Sequence, residues 1–151
     1  MTDAIIKQLI EHEGDRLHPY VDTVGKTTIG IGRNLTDNGI TQEESLYLCE
    51  NDLGKVRADL DAFWPGWRSI DEIRQRVLLD MAFNLGITRF MDFHITLSQV
   101  RTGNYTAAAA SMLLSKWARQ VGPRAIRLAE MMRTGAEVSL EWARAELKRR
   151  G

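Results

Sequence analysis

Between residues 41 and 63 the apolar side chains Leu46, Cys49, Leu53, Val56, Leu60 and Phe63 recur at steps of three and four without a miss. That spacing puts all of them on one face of a single helix, over roughly four to five turns. Thr41-Gln42-Glu43-Glu44 supplies a capping box at its start, and Trp64-Pro65-Gly66 stops it. The rest of the chain must therefore be arranged around one long spine, and the segments on its two sides read differently.

On the N-terminal side, residues 3–12 read as an amphipathic helix. Asp3 is the expected cap, Ile6, Leu9 and Ile10 form the apolar face, and Gly14 ends it. Residues 17–35 change character. Pro19, Gly25, Gly30 and Gly32 punctuate the run Lys26-Thr27-Thr28-Ile29, which predicts short strands joined by tight turns. No other stretch favours β structure. On the C-terminal side everything reads as helix. Ser69-Ile70-Asp71-Glu72 is a second capping box, followed by Ile73, Val77, Met81 and Leu85 and closed by Gly86. A short helix spans 94–101, Asn104 opens the next, Gly122-Pro123 opens another that Gly135 closes, and Ser139 caps the last. The fold class expected is α+β, mostly helical. It comprises an N-terminal lobe over about 12–40, the connecting helix over 41–63, and a helical lobe over 69–151 joined by helix 3–12.

With 151 residues, 44% hydrophobic and 26% charged, the chain suits one compact domain or two small lobes sharing a core. No apolar run approaches the roughly 20 residues needed to span a bilayer, so stable membrane insertion is not expected. The N-terminus lacks the pattern of a signal peptide, which predicts synthesis in the cytoplasm. Cys49 is the only cysteine, which excludes an internal disulfide, and its place on the apolar stripe predicts burial. Histidines 12, 18 and 94 show no metal-ligand spacing, so neither metal nor cofactor is expected. Net charge is zero, but residues 1–68 carry 7 Lys/Arg against 12 Asp/Glu, and residues 69–151 carry 13 against 8. A basic second half can attract an anionic polymer. No DNA-reading signature accompanies it, so nucleic acid is not an expected partner.

The chemistry concentrates in Glu13, Asp22 and Thr28, separated by eight and five residues. Hydrolysis of a glycosidic bond needs a proton for the leaving oxygen and a second carboxylate near the anomeric carbon. A glutamate desolvated against Ile10, Leu17 or Ile29 would hold its proton towards neutral pH, while an aspartate in a polar turn beside Thr23 would stay ionised. A threonine hydroxyl can both donate and accept, and so can hold a water. Spacing alone leaves open that these are ordinary solvated side chains.

The wider pattern narrows the choice. Glu13-Gly14, Tyr20-Val21-Asp22-Thr23, Gly25 and Thr27-Thr28-Ile29-Gly30-Ile31-Gly32 together resemble the catalytic motif of the phage-type lysozymes of glycoside hydrolase family 24. The likeness continues through Met81-Ala82-Phe83-Asn84-Leu85-Gly86, Phe93, Thr96-Leu97, Ser115-Lys116-Trp117, Pro123-Arg124-Ala125 and Arg133-Thr134-Gly135. It implies a lysozyme-like two-lobed fold and an endolysin. Such an enzyme is a muramidase cutting the β-1,4 bond between N-acetylmuramic acid and N-acetylglucosamine, with inversion expected. The resemblance makes Glu13 the general acid and Asp22 the second carboxylate, with Thr28 positioning water. Phe83, Asn84, Thr96 and Arg124 match substrate-binding positions, and Arg124 matches an arginine that pairs with the catalytic glutamate. The expected partner is peptidoglycan, reached in the periplasm after release by a separate holin, and the expected state is a monomer. Arg33 departs from the pattern, standing where a family member has histidine, and the loop 36–40 is too short for a further helix found in that member. Competing readings are a wall-binding module without activity, a helical nucleic-acid binder and a lytic transglycosylase.

Overall fold

A computed structural model describes residues 3–151; Met1 and Thr2, where the reading of the N-terminus begins, lie outside the described residues. The chain divides into two compact units, the first ending at Cys49 and the second running Glu50–Gly151, with the division inside the long helix.

The first unit carries helix α1 (Ala4–Glu13), a three-stranded antiparallel sheet of β1 (Arg16–Val21), β2 (Thr27–Gly30) and β3 (Arg33–Asn34), and the single-turn helix α2 (Leu35–Asn38). The region 17–35 thus forms the predicted strands. Helix α1, which the sequence reading groups with the helical lobe, falls in this unit. Asp3 precedes it but makes no side-chain capping bond; Gly14, at φ +78, ends it as expected. The order is β1-β2-β3, with Tyr20 opposite Thr28 and Thr28 opposite Asn34. The β1–β2 register slips between Arg16 and Tyr20. Pro19 lies within that gap on an edge strand, the place where a residue without an N–H is tolerated. The short loop 36–40 still holds one helical turn, because the Asn34 side chain caps α2 by accepting from Asp37 N at 3.0 Å.

Helix α3 (Gln42–Phe63) begins with the expected reciprocal box: Glu44 N donates to Thr41 Oγ1 at 3.1 Å and Thr41 N to Glu44 Oε2 at 2.8 Å. Its apolar stripe is not buried uniformly. Leu60 is buried and Val56 and Phe63 are half-buried, whereas Leu46 and Cys49 are exposed. The expected burial of Cys49 is therefore corrected. The tightly packed core lies along the last turns of α3, and the helix carries its apolar pattern beyond that core.

The second unit is helical, with a 3-10 turn (Pro65–Ser69), α4 (Glu72–Leu85), α5 (Ile87–Met91), α6 (His94–Arg101), α7 (Tyr105–Leu113), α8 (Lys116–Val121), α9 (Pro123–Thr134) and α10 (Leu140–Arg150). Ser69 ends the 3-10 turn, so the cap of α4 is Asp71, which accepts from Arg74 N at 3.1 Å, and not the box expected from Ser69. Caps at Asn104, Ser115 and Ser139 open α7, α8 and α10. The core is built from Trp67, Val77, Leu78, Met81, Phe90, Val100, Met112 and Met132, all essentially without exposure. Among the described residues no helix is long and apolar enough to cross a membrane.

Candidate active site

The turn between β1 and β2 holds Asp22, and Thr28 follows in β2 itself. Gly25 N donates to Asp22 O at 3.1 Å and Asp22 N to Lys26 O at 2.9 Å, closing a tight hairpin. Gly25 takes φ +85 there, a backbone that side chains with a β-carbon disfavour. The Asp22 carboxylate folds back on this turn: Oδ1 accepts from Val24 N at 3.0 Å and from Lys26 N at 2.8 Å. Oδ2 has no protein donor among the described residues.

Thr28 sits in the centre of the sheet and is 4% exposed. Its Oγ1 donates to Lys26 O at 3.2 Å. One carbonyl, that of Lys26, therefore accepts from both the Asp22 amide and the Thr28 hydroxyl. With its proton committed, the hydroxyl keeps lone pairs that can accept. The bond from Asp22 N to Lys26 O follows directly on the Val21–Thr27 pair, so Asp22 and Thr28 lie at the same end of the β1–β2 ladder.

Glu13 ends α1, and its carboxyl is seated on the backbone of Gly32. A β-carbon built there would stand 3.0 Å from both Cδ and Oε2 of Glu13. The desolvation expected against Ile10, Leu17 or Ile29 does not arise, since Glu13 is itself exposed and Leu17 is 80% exposed. Its neighbour is main chain instead. The Gly30-Ile31-Gly32 turn that provides this seat has φ +66 and +69 at its two glycines.

Directly after the seat, Arg33 makes a bidentate pair with Glu44, Nη1 to Oε2 at 2.7 Å and Nη2 to Oε1 at 2.6 Å, and Nη1 also donates to Gly39 O at 3.2 Å. The guanidinium hydrogen bonds, reinforced by the Thr41 amide, pull the Glu44 carboxyl down to about 2. The sequence singles out Arg33 only as a departure, and nothing in its spacing from Glu44 signals the pair.

The other four predicted residues lie in the second unit. Phe83 is 42% exposed near the end of α4. Asn84 follows it, and its Oδ1 accepts from Trp117 Nε1 at 2.8 Å. Thr96, 4% exposed, lines an open groove of about 510 Å³ with Leu85, Phe93 and Trp117, while Arg89 and Lys116 also border it. The Phe93 and Trp117 rings meet edge to face at 6.1 Å. Trp117 thus joins Asn84 to this groove; Phe83 and Arg124 are not part of its lining. The resemblance implies Glu13 as the partner of Arg124. The carboxylate that Arg124 meets within its own unit is Asp80, at 2.7 Å from Nε, four residues before Asn84 on α4. Asp80 was not legible as a partner, because the two residues are 44 positions apart.

Comparison with known proteins gives one consistent result. A family model described as phage lysozyme matches residues 10–134. The pre-baseplate central spike protein Gp5 of Enterobacteria phage T4 is 29% identical over 87% of this chain, which spans only 28% of that longer protein. A probable T4-type lysozyme 1 of Dictyostelium discoideum is 26% identical, with 89% of this chain and 96% of the relative covered. The endolysin of Salmonella phage P22 is 31% identical, over 74% of this chain and 80% of its own length.

Proposed function

This chain belongs to the phage lysozyme family, a family of glycoside hydrolases acting on bacterial peptidoglycan, and we propose that it cuts the β-1,4 bond between N-acetylmuramic acid and N-acetylglucosamine. Glu13 delivers its proton to the glycosidic oxygen as the bond from that oxygen to the anomeric carbon breaks. A water oxygen bonds to the anomeric carbon, and its proton passes to Asp22. Thr28 accepts a hydrogen bond from that water and holds it on line.

The observation that carries this reading is the shared Lys26 carbonyl. It ties the Asp22 backbone and the Thr28 hydroxyl to one point, while Asp22 Oδ1 is fixed by two amides and Oδ2 is left for water. Preorganised groups of this kind accelerate a reaction because they need not reorient in the transition state. A residue pair set to direct water favours hydrolysis over internal ring closure, the transglycosylase outcome. In the second unit we assign Phe83, Asn84, Thr96 and Arg124 as substrate contacts, with Asn84 oriented by Trp117 and the Arg124 guanidinium by Asp80. The enzyme acts as a monomer on the wall from the periplasmic side, after a separate holin releases it.

The test is turbidity loss of outer-membrane-permeabilised Gram-negative cells, with mass spectrometry of the released muropeptides. Glu13→Gln abolishes lysis, and Asp22→Asn and Thr28→Ala each lower it by roughly a hundredfold or more with circular dichroism unchanged. Products carry free reducing ends. Wild-type lysis by Glu13→Gln, or anhydro-muropeptides as the main products, would overturn the assignment.

A further inference from the structure

The carboxyl of Glu13 rests on main chain, and main chain has to be held by something. Its seat, Gly32, belongs to a three-residue turn whose two glycines both have positive φ, a backbone with little stiffness of its own. Two devices restrain the far side of that turn. One is the short β2–β3 ladder, where Ile29 pairs with Arg33 and Thr28 with Asn34. The other is the Arg33 side chain, which reaches Glu44 through two parallel hydrogen bonds and Gly39 O through a third. Glu44 is itself fixed by Thr41 in the capping box of α3. A bidentate guanidinium–carboxylate pair fixes orientation as well as distance, which a single-point contact does not.

We propose that Arg33 is a positioning residue for Glu13: by clamping the residue next to Gly32 onto the start of α3, it sets where the Glu13 carboxyl stands. The chain of contact is Glu13 on Gly32, Gly32 joined to Arg33, Arg33 on Glu44 and Gly39, and Glu44 on Thr41. Every member lies in the first unit. Arg33 touches neither substrate nor reacting atoms in this scheme; it acts through the turn. The inference rests on the reading of Glu13 as the acid.

The experiment measures kcat, KM and the pH dependence of kcat on solubilised peptidoglycan, well below the melting temperature of each variant. Arg33→Met lowers kcat by roughly tenfold with KM held within about twofold, because a misplaced catalytic group slows the chemical step without removing binding contacts. It also moves the alkaline limb of the pH profile of kcat, since the carboxyl of the acid has changed its neighbours. Arg33→Lys recovers part of kcat, and the exchanged pair Arg33→Glu with Glu44→Arg recovers more than either single change. Arg68→Met is the control: Arg68 makes a bidentate pair with Asp61, of similar exposure, in the second unit, and its loss leaves kcat and the pH limb unchanged. If Arg33→Met fails to fold, Glu44→Gln carries the same readout. Wild-type kcat and pH limb in Arg33→Met or Glu44→Gln, or an equal loss in Arg68→Met, overturns the proposal. Inactive Glu13→Gln beside a fully active Arg33→Met defeats this inference alone, whereas an active Glu13→Gln defeats the reading beneath it.

Discussion

A β-carbon at position 32 would press on Cδ and Oε2 of Glu13 at 3.0 Å, on a backbone whose φ of +69 few L residues adopt. Gly32→Ala is therefore expected to act twice. The left-handed backbone costs about 1–2 kcal/mol of stability, and displacement of the Glu13 carboxyl costs roughly a hundredfold in turnover. Thermal melts and cell-lysis rates on the same preparation separate the two. The paired substitution Gly103→Ala shares the positive φ but has open space around its β-carbon, so it should lower the melt alone. Of the residues proposed to carry chemistry, the sequence singles out Glu13, Asp22 and Thr28 because their types and spacing follow a motif. It hid what positions them. The Lys26 carbonyl and the Gly32 backbone, like the Asp80 carboxylate beside Arg124, act through atoms or long-range contacts that leave no trace in residue order. The expected desolvation of Glu13 failed for a related reason: Leu17 is apolar and near in sequence, but proximity along a strand does not say where its side chain lies.

At the scale of elements, helix starts and stops were legible wherever a cap and a breaker agreed, as at Thr41, Asn104, Ser139, Gly86 and Gly135. They were misread where two polar residues competed for one cap, as at Ser69 and Asp71, and α2, α5 and α8 were not singled out because helices so short show no periodicity. The junction of β3 with α3 gives a pH prediction. Glu44 titrates near 4.5 without its partners and at about 2 in the fold. A carboxylate with a lowered folded value contributes stability in full above the unfolded value, and loses it as pH falls through the folded one. The window is thus from about 4.5 down to about 2. Asp61, Glu130 and Glu137, also lowered by arginine partners, add slopes of the same sign. Urea midpoints should fall steadily across that window, and Glu44→Gln should flatten the curve. An unchanged slope in that variant would assign the acid sensitivity to the other three carboxylates.

Across the whole molecule, burial is distributed unevenly between the two units. Among the described residues every buried apolar one lies at position 60 or beyond, and Thr28 is the one buried residue of the first unit. The first unit is held mainly by hydrogen bonds, caps and ion pairs, each worth about 1 kcal/mol or less where exposed. A single large-to-small change in the second unit's core, such as Met112→Ala, removes about 2–5 kcal/mol. Native-state hydrogen exchange should accordingly show α4, α7 and α9 protected up to global unfolding, with β1 and α1 exchanging through smaller openings. Equal protection in both units would contradict this division of stability. The α+β class, the single β region and the long helix were all readable in advance, because periodicity and glycine content report on local geometry. How deeply the α3 stripe is covered was not, because an apolar pattern records the capacity for burial and not its extent.

Lys26 shows what this arrangement means for anyone altering the enzyme. Its amide and carbonyl organise the hairpin, while its ammonium makes an exposed pair with Asp37 at 3.1 Å. The position should accept almost any replacement with little loss, proline excepted, since proline has no amide hydrogen for Asp22. A tally of tolerated substitutions would rank it as dispensable. It is better understood as a fixed point of the scaffold whose letter is free, and therefore as a convenient place to attach a reporter beside Asp22 and Thr28.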